Sequence, residues 1–182
     1  MKRCHWVDES SDLYVKYHDE EWGEPKYNDG ELFELLILEG FQAGLSWLTV
    51  LKKREEFRKA FDNFDYVKIS KYDLNKINQL KSNAGIIRNL SKIKATINNA
   101  KVFIDIQKEF GSFSKYIWGF TDNKIIYNEC EEIPVSSSLS DVISKDLQRR
   151  GMKYVGTVII YSYLQAVGVV NDHEKGCFKR VL

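Results

Sequence analysis

Proline, cysteine and long hydrophobic runs are scarce in this sequence. Of its 182 residues, two are proline and three are cysteine, and the cysteines are widely spaced. Three dispersed cysteines exclude the disulfide framework of a small secreted domain, and without a recognisable signal peptide they favour a cytoplasmic protein. The longest uncharged stretch, residues 154–171, contains three tyrosines and a glutamine. It therefore predicts a buried core helix and no membrane partner.

A surplus of positive charge is also missing. Lysine and arginine number 27 against 26 acidic residues, which argues against a simple electrostatic clamp on nucleic acid. The charge is nevertheless segregated along the chain, because residues 1–40 contain four basic and eleven acidic side chains whereas residues 52–59 are rich in lysine and arginine. A local basic surface is therefore compatible with the near-neutral total.

Apolar residues recur at helical spacing and rarely alternate with polar ones, so we predict an all-α fold in one domain, residues 1–182. Caps and spacing locate five helices: a central buried helix from Asn28 to Gly40, one capped by Ser46, one starting at Ser70, one from Ile86 to Ile104, and one from Ser138 to Arg149. Residues 81–85 join the third and fourth of these. The two are therefore predicted to form an αα-hairpin.

The predicted hairpin carries positive charge without compensation. Its basic residues, with no acidic one among them, are Lys81, Arg88, Lys92, Lys94 and Lys101. A turn containing Gly85 at the start of a cationic helix can bind phosphate, because free backbone amides and the helix dipole both favour an anion. A solvated helix face explains the same charges, so both interpretations stay open.

Potential metal ligands concentrate at the two ends of the chain. Cys4 and His18 lie near the N-terminus, and His173 and Cys177 lie near the C-terminus with the spacing of one helical turn. Two thiolates and two imidazoles form a closed tetrahedral zinc site, which is structural because no position is left for a water. Scattered buried cysteines and packed histidines are the alternative, and His5 is a neighbour that could replace a ligand.

A carboxylate follows the apolar centre of the central helix. Glu39 comes directly after Leu35–Leu38, and no basic residue lies within a helical turn of it. Ionising it beside so much apolar surface is costly unless a ligand pairs with it. The aromatic residues Trp6, Tyr17, Trp22 and Trp47 could form a slot for a flat ring next to this carboxylate. A glutamate reaching solvent and an aromatic core are the alternatives.

Several of these segments together resemble the DNA-3-methyladenine glycosylase I family. They are residues 4–6, 17–23, 38–47, 83–88 and 171–173, in the family's order and at nearly its spacing. The resemblance implies an all-α helix-hairpin-helix DNA glycosylase fold, with the hairpin at about residues 70–108. It also implies a structural zinc ion that joins residues 1–22 to 165–182, with ligands Cys4, His18, His173 and Cys177.

The resemblance further implies a base-excision repair enzyme that flips 3-methyladenine out of alkylated double-stranded DNA and releases it by hydrolysis. Glu39 would be the catalytic residue in a base pocket formed with Tyr17, Trp47, Trp6 and Trp22. DNA contacts are expected from Gln42, Gly44, Leu45, Lys81, Gly85, Arg88 and Lys92, with Leu45 as the wedge that fills the vacated stack. Arg88 stands where a nucleophilic lysine would be sought, so we expect a monofunctional enzyme that leaves an abasic site. We also expect the enzyme to be a monomer.

Two other functions compete with this interpretation. A non-catalytic, zinc-stapled helix-hairpin-helix module would bind duplex DNA in a salt-dependent way without releasing a base. A zinc hydrolase would need an open coordination position, which a set of two cysteines and two histidines does not provide.

Overall fold

The computed structural model describes residues 1–128 and 133–180. Its helices are α1 (Asp12–Glu20), α2 (Asp29–Gln42), α3 (Trp47–Ala60), α4 (Tyr66–Ile69), α5 (Leu74–Ser82), α6 (Leu90–Phe110), α7 (Phe113–Gly119), α8 (Ser138–Arg149) and α9 (Thr157–Ala166), with a 3-10 turn at Asp62–Phe64. Two short parallel strands, β1 (Ile126–Tyr127) and β2 (Val170–Asn171), pair Ile126 with Val170. The predicted all-α class is confirmed, and no helix in the described residues is long and apolar enough to cross a membrane.

Helix α2 forms the centre of the core, as its sequence predicts. The Asn28 side chain accepts hydrogen bonds from the amides of Gly30 and Glu31 and so starts the helix. Residues 32–38 are buried all round the helix, which packs against α3, α6, α7 and α9. Burying each large apolar side chain stabilises the fold by about 1.5–3 kcal/mol, so this helix is a rigid base for the residues at its C-terminal end.

Two predicted helix starts are wrong, and the same rule explains both. Helix α5 begins after Asp73, whose carboxylate accepts from the Lys76 amide, whereas Ser70 follows the end of α4. Helix α6 begins after Asn89 rather than at Ile86, because the Asn89 side chain accepts from the Lys92 amide. In both places an aspartate or asparagine one turn further along provides the N-cap that fixes the boundary.

The two ends of the chain lie side by side. The Phe178 amide donates to the Lys2 carbonyl at 3.0 Å, and the His5 amide donates to Glu174 Oε2 at 2.8 Å. Helix α1, which the periodicity did not predict, starts at a Ser11 cap and runs beside these segments. The predicted meeting of the termini is therefore present.

Candidate active site and metal centre

A cavity of about 160 Å³ opens beside the C-terminal half of α2. Its lining combines five aromatic rings with a few polar side chains: Trp6, Tyr14, Tyr17, Trp22, Glu39, Gln42, Trp47, Ile133, Ser162 and Gln165. This volume is below the usual 300–1,000 Å³ of a pocket for a drug-sized molecule, so the cavity suits a small flat ligand. All five residues predicted for the base pocket line it.

Glu39 is the only acidic side chain in the described lining of this cavity. It is 3% exposed, and within the described part of the chain its Oε2 atom has no hydrogen-bond partner. Burial raises the pKa of the Glu39 carboxyl to about 8. The indole Nε1 of Trp47 is likewise buried without a partner among the described residues. The cavity therefore offers one strong acceptor and one donor to a ligand.

The aromatic walls are held in fixed orientations by contacts with one another. The ring centroids of Tyr17 and Trp47 are 5.5 Å apart, and Trp6 meets Trp22 edge to face at 5.0 Å. Trp6 also contacts Tyr14 at 5.2 Å. Such pairs stabilise one arrangement by about 0.5–1.5 kcal/mol each, so the slot is formed before any ligand enters.

Four lining residues were not predicted. Tyr14 lies one turn before Tyr17 on α1, and Ser162 and Gln165 share one face of α9. The signal for Tyr14 was its spacing of three from Tyr17, which becomes informative only once the segment is known to be helical. Gln165 donates through Nε2 to Asp172, seven residues further along the chain, at 2.6 Å. No local sequence pattern places Gln165 at the cavity wall.

The four predicted metal ligands form one buried group. The ligand atoms of Cys4, His18, His173 and Cys177 all lie within 4.8 Å of one another. Cys4 Sγ is 3.7 Å from His173 Nδ1, and Cys177 Sγ is 3.4 Å from His18 Nε2 and 3.6 Å from His173 Nδ1. Tetrahedral zinc with ordinary bond lengths places sulfur and nitrogen ligands about 3.6 Å apart. The group therefore fits a tetrahedral metal ion.

The second nitrogen of each histidine is also engaged. His18 Nδ1 donates to Asp19 at 2.7 Å, and His173 Nε2 donates to the Trp22 carbonyl at 3.2 Å. These partners fix each ring with its free nitrogen toward the sulfur atoms, the arrangement typical of metal-binding histidines. Asp19 is held in turn by Arg3, whose Nη2 donates to it at 2.7 Å.

The alternative ligands are placed differently. His5 is exposed and pairs with Glu174, outside the buried group. Cys130, the third cysteine of the chain and the other alternative ligand, lies outside the described residues. Burial raises the pKa of the Cys4 thiol to about 12, so binding a divalent cation must release the Cys4 proton. Burial also lowers the pKa of His173 to about 4, which keeps this imidazole neutral and able to bind a metal.

A tight turn projects one apolar side chain from the rim of the cavity. Ala43 has φ −47° and ψ 114°, Gly44 has φ +83°, and the Leu45 amide donates to the Gln42 carbonyl at 2.7 Å. These values define a type II turn, which requires a positive φ at its third residue and therefore favours glycine there. We call residues 42–45 the wedge turn. Leu45 is 42% exposed at its end.

The hairpin is present, but its parts differ from the prediction. Lys81 and Arg88 are exposed, as a phosphate contact requires. The Gly85 amide donates to Asn83 Oδ1 at 2.8 Å, so this N–H is already engaged. The prediction that Lys92 contacts DNA is corrected by the structure. Lys92 is buried, and its ammonium group binds backbone carbonyls within the protein instead of facing solvent.

Comparisons with known proteins agree with this geometry. Residues 6–180 match the methyladenine glycosylase family. The chain belongs to that family. It is 46% identical over 180 residues to DNA-3-methyladenine glycosylase 1 of Escherichia coli (strain K12), covering 97% of this chain and 96% of the relative.

Solved methyladenine glycosylase structures have the same fold. One crystal structure of 3-methyladenine DNA glycosylase I superposes with a TM-score of 0.95 at 44% identity, covering 99% of this chain and all of that one. Another, a tyrosine-to-phenylalanine variant in complex with 3-methyladenine, gives 0.95 at 33% identity and covers 100% and 99% of the two chains. The predicted family and its all-helical glycosylase fold are confirmed, and the chain is an N-glycosylase.

Proposed function

We propose that this glycosylase excises 3-methyladenine from alkylated double-stranded DNA. The observation that carries the proposal is the buried carboxylate of Glu39 in a preformed aromatic slot, whose Oε2 atom has no hydrogen-bond partner among the described residues. Methylation at N3 gives the adenine a positive charge, and aromatic faces together with a carboxylate attract a flat cation. Unmodified adenine lacks that charge and gains less from the same walls.

Cleavage of the N9–C1′ bond of 3-methyladenine needs little acid catalysis. The methylated base is a cation before the reaction, so the N9–C1′ bond breaks with its electron pair moving onto the base, which leaves neutral. Water then adds to C1′ and loses a proton, leaving an abasic sugar. Positive charge passes from base to sugar during this step, so the Glu39 carboxylate acts chiefly by binding and orienting the cationic nucleotide, accepting hydrogen bonds from the base edge.

The base must leave the helix to reach the cavity. Extrusion costs a few kcal/mol, less for a damaged base, and the gap is filled by an apolar wedge. We assign this role to Leu45 on the wedge turn, with Gln42 at the rim of the cavity beside it. Lys81 and Arg88 on the hairpin would hold the phosphate backbone.

Zinc is the metal that we propose for the buried Cys–His group. Cys4, His18, His173 and Cys177 supply all four ligands of a closed tetrahedron, so the ion would hold the termini together and take no part in the reaction. We place this monomeric enzyme in the reducing cytoplasm, because Cys4 and Cys177 can bind zinc only while they are reduced and not joined in a disulfide.

The ionisation of Glu39 predicts the pH dependence. The ratio kcat/KM follows the free enzyme, so it should rise with pH and level off above about 8, the pKa that burial gives this carboxyl. The stability of the folded protein should instead decrease as the pH rises. Between its ordinary value of 4.5 and about 8 the folded carboxyl keeps a proton that the unfolded chain releases, so the free energy of unfolding falls with rising pH. A pH series of excision rates checks the first part, and a kcat/KM that falls from pH 6 to 8 contradicts it.

The reaction should proceed without a covalent intermediate. None of the described residues lining the cavity is a lysine, and Lys92 is occupied by two carbonyls. We therefore expect no protein–DNA adduct when borohydride is added during turnover. An adduct on denaturing gels, absent without borohydride, would instead identify a Schiff-base enzyme.

One assay separates the proposed enzyme from a non-catalytic binding module. Zinc-loaded protein is incubated with alkylated duplex DNA, and free bases and abasic sites are counted separately. The proposal expects the two in equal amounts on an otherwise intact strand. Salt-dependent binding that yields neither would identify the binding module.

A further inference from the structure

Lys92 is a lysine of the hairpin's second helix that faces the protein interior. It lies in the first turn of α6, is 7% exposed, and its Nζ donates to the carbonyls of Phe41 at 2.8 Å and Ala43 at 2.7 Å. The Nζ atom also lies 5.8 Å from the ring centroid of Tyr154, and burial lowers the pKa of the ammonium group. Its positive charge is therefore compensated by these carbonyls inside the protein and does not face a phosphate.

The two carbonyls lie at the C-terminal end of α2, where a cation stabilises the helix. Phe41 is in the last turn of α2, and Ala43 is the residue at which that helix ends. The last carbonyls of a helix lack partners within the helix and carry the negative end of its dipole, so an ammonium group there is stabilising. Ala43 is also the second residue of the wedge turn, so the same ammonium group fixes the direction in which the turn leaves the helix.

Three functional parts meet at this one contact. Glu39 lies on α2 one helical turn before the wedge turn, Leu45 forms the end of that turn, and Lys92 belongs to the helix that follows the hairpin loop. We propose that Lys92 is a positioning residue that locks the wedge turn to the hairpin, so that phosphate binding by the hairpin places Leu45 at the base stack. This inference rests on the proposed base-excision function.

Lys92→Met tests the role by removing the ammonium group and keeping the length of the side chain. Because misplacing a reacting group by about 1 Å can cost a factor near 100, we expect excision from alkylated duplex DNA to slow roughly tenfold to a hundredfold. Binding of free 3-methyladenine, followed by tryptophan fluorescence, should change less than about twofold, since Lys92 does not line the cavity. Lys108→Met, on the exposed C-terminal end of α6, is the matched control and should excise like the parent.

The salt dependence of DNA binding distinguishes positioning from phosphate contact. Each neutralised phosphate contributes about 0.9 to the slope of log K against log salt for duplex DNA. Lys92→Met should leave this slope unchanged, whereas Lys81→Met should reduce it. A slope lowered by about one in Lys92→Met would overturn the proposal and make Lys92 a DNA ligand after all.

Gly44→Ala alters the same turn without touching the core. A β-carbon at Gly44 meets no atom within 4 Å, so the substitution acts only through its φ of +83°. If Lys92 acts through the wedge turn, the losses in Lys92→Met and Gly44→Ala should be less than multiplicative in the double variant. The fluorescence of 2-aminopurine opposite an abasic site changes when a side chain enters the stack. The change on protein binding should be smaller in both single variants than in the parent.

The possible failures are distinguishable. If the parent releases no 3-methyladenine, the proposed function is wrong. If the parent releases it and Lys92→Met is equally fast, or loses free-base affinity as much as excision, the positioning role is wrong. Fully multiplicative losses in the double variant would also overturn it.

Discussion

Replacing Glu39 with glutamine is expected to lower kcat/KM for 3-methyladenine release roughly tenfold to a hundredfold. A hydrogen bond to a charged group contributes about 1.5–3 kcal/mol, and every 1.4 kcal/mol is a factor of ten. Fold and duplex affinity should be retained, because glutamine has the same shape and the hairpin is unchanged. Above about pH 8 the variant should also be more stable than the parent, which must then bury an ionised carboxylate.

Glu34→Gln is the matched control on the same helix. Glu34 is also buried, but its Oε1 accepts from Arg54 Nε at 2.6 Å and from Arg58 Nε at 3.0 Å. Its loss should lower the melting temperature and leave the folded enzyme active, the reverse of the result for Glu39. The rates are measured by single-turnover base release and the stabilities by thermal unfolding. Unchanged excision by Glu39→Gln would remove this residue from the site.

Cys177→Ser is expected to abolish stoichiometric metal binding and to lower the melting temperature by about 10–20 °C. The metal group closes a loop that spans almost the whole chain, and closing so long a loop contributes about 5 kcal/mol by analogy with a disulfide. For a protein of this size 1 kcal/mol corresponds to about 2–4 °C. Since the ion is proposed to be structural, excision well below the melting temperature should fall far less than stability.

The neighbouring histidine is the control for metal binding. His5→Ala should keep its zinc, because this side chain lies outside the buried group. Zinc content is measured on purified protein by elemental analysis, alongside thermal unfolding. Equal zinc in Cys177→Ser and the parent would mean that the assigned ligand set is wrong. Loss of excision at full folding would mean that the ion takes part in the reaction.

The parts of the site that sequence predicted well are those specified by rare residue types. Cysteine and histidine are few enough that four of them at the chain ends stood out as a candidate metal group, which the family resemblance then implied, and the structure brings these four together. Glu39 was conspicuous because a carboxylate so close to an apolar run violates the ordinary pattern. The caps Asn28 and Ser46 also started their helices as predicted, because each side chain accepts from backbone amides inside the first turn.

What sequence could not predict depends on three-dimensional neighbours. In the sequence Lys92 is indistinguishable from its exposed neighbour Lys94. Its ammonium group points inward because the last carbonyls of α2 lie beside it and accept its hydrogen bonds. The helix predicted to start at Ser70 starts after Asp73 instead, because Ser70 is the residue at which α4 ends. Gln165 reaches the cavity wall from α9, a helix whose register against α2 is set by packing.

The most direct test of the account is the rate of base release from alkylated duplex DNA, with each free base identified by chromatography. The account predicts that zinc-loaded protein releases 3-methyladenine, that Glu39→Gln releases it far more slowly, and that neither releases unmodified adenine. Release of adenine at a comparable rate, or tight binding of the alkylated duplex with no base released, would contradict it.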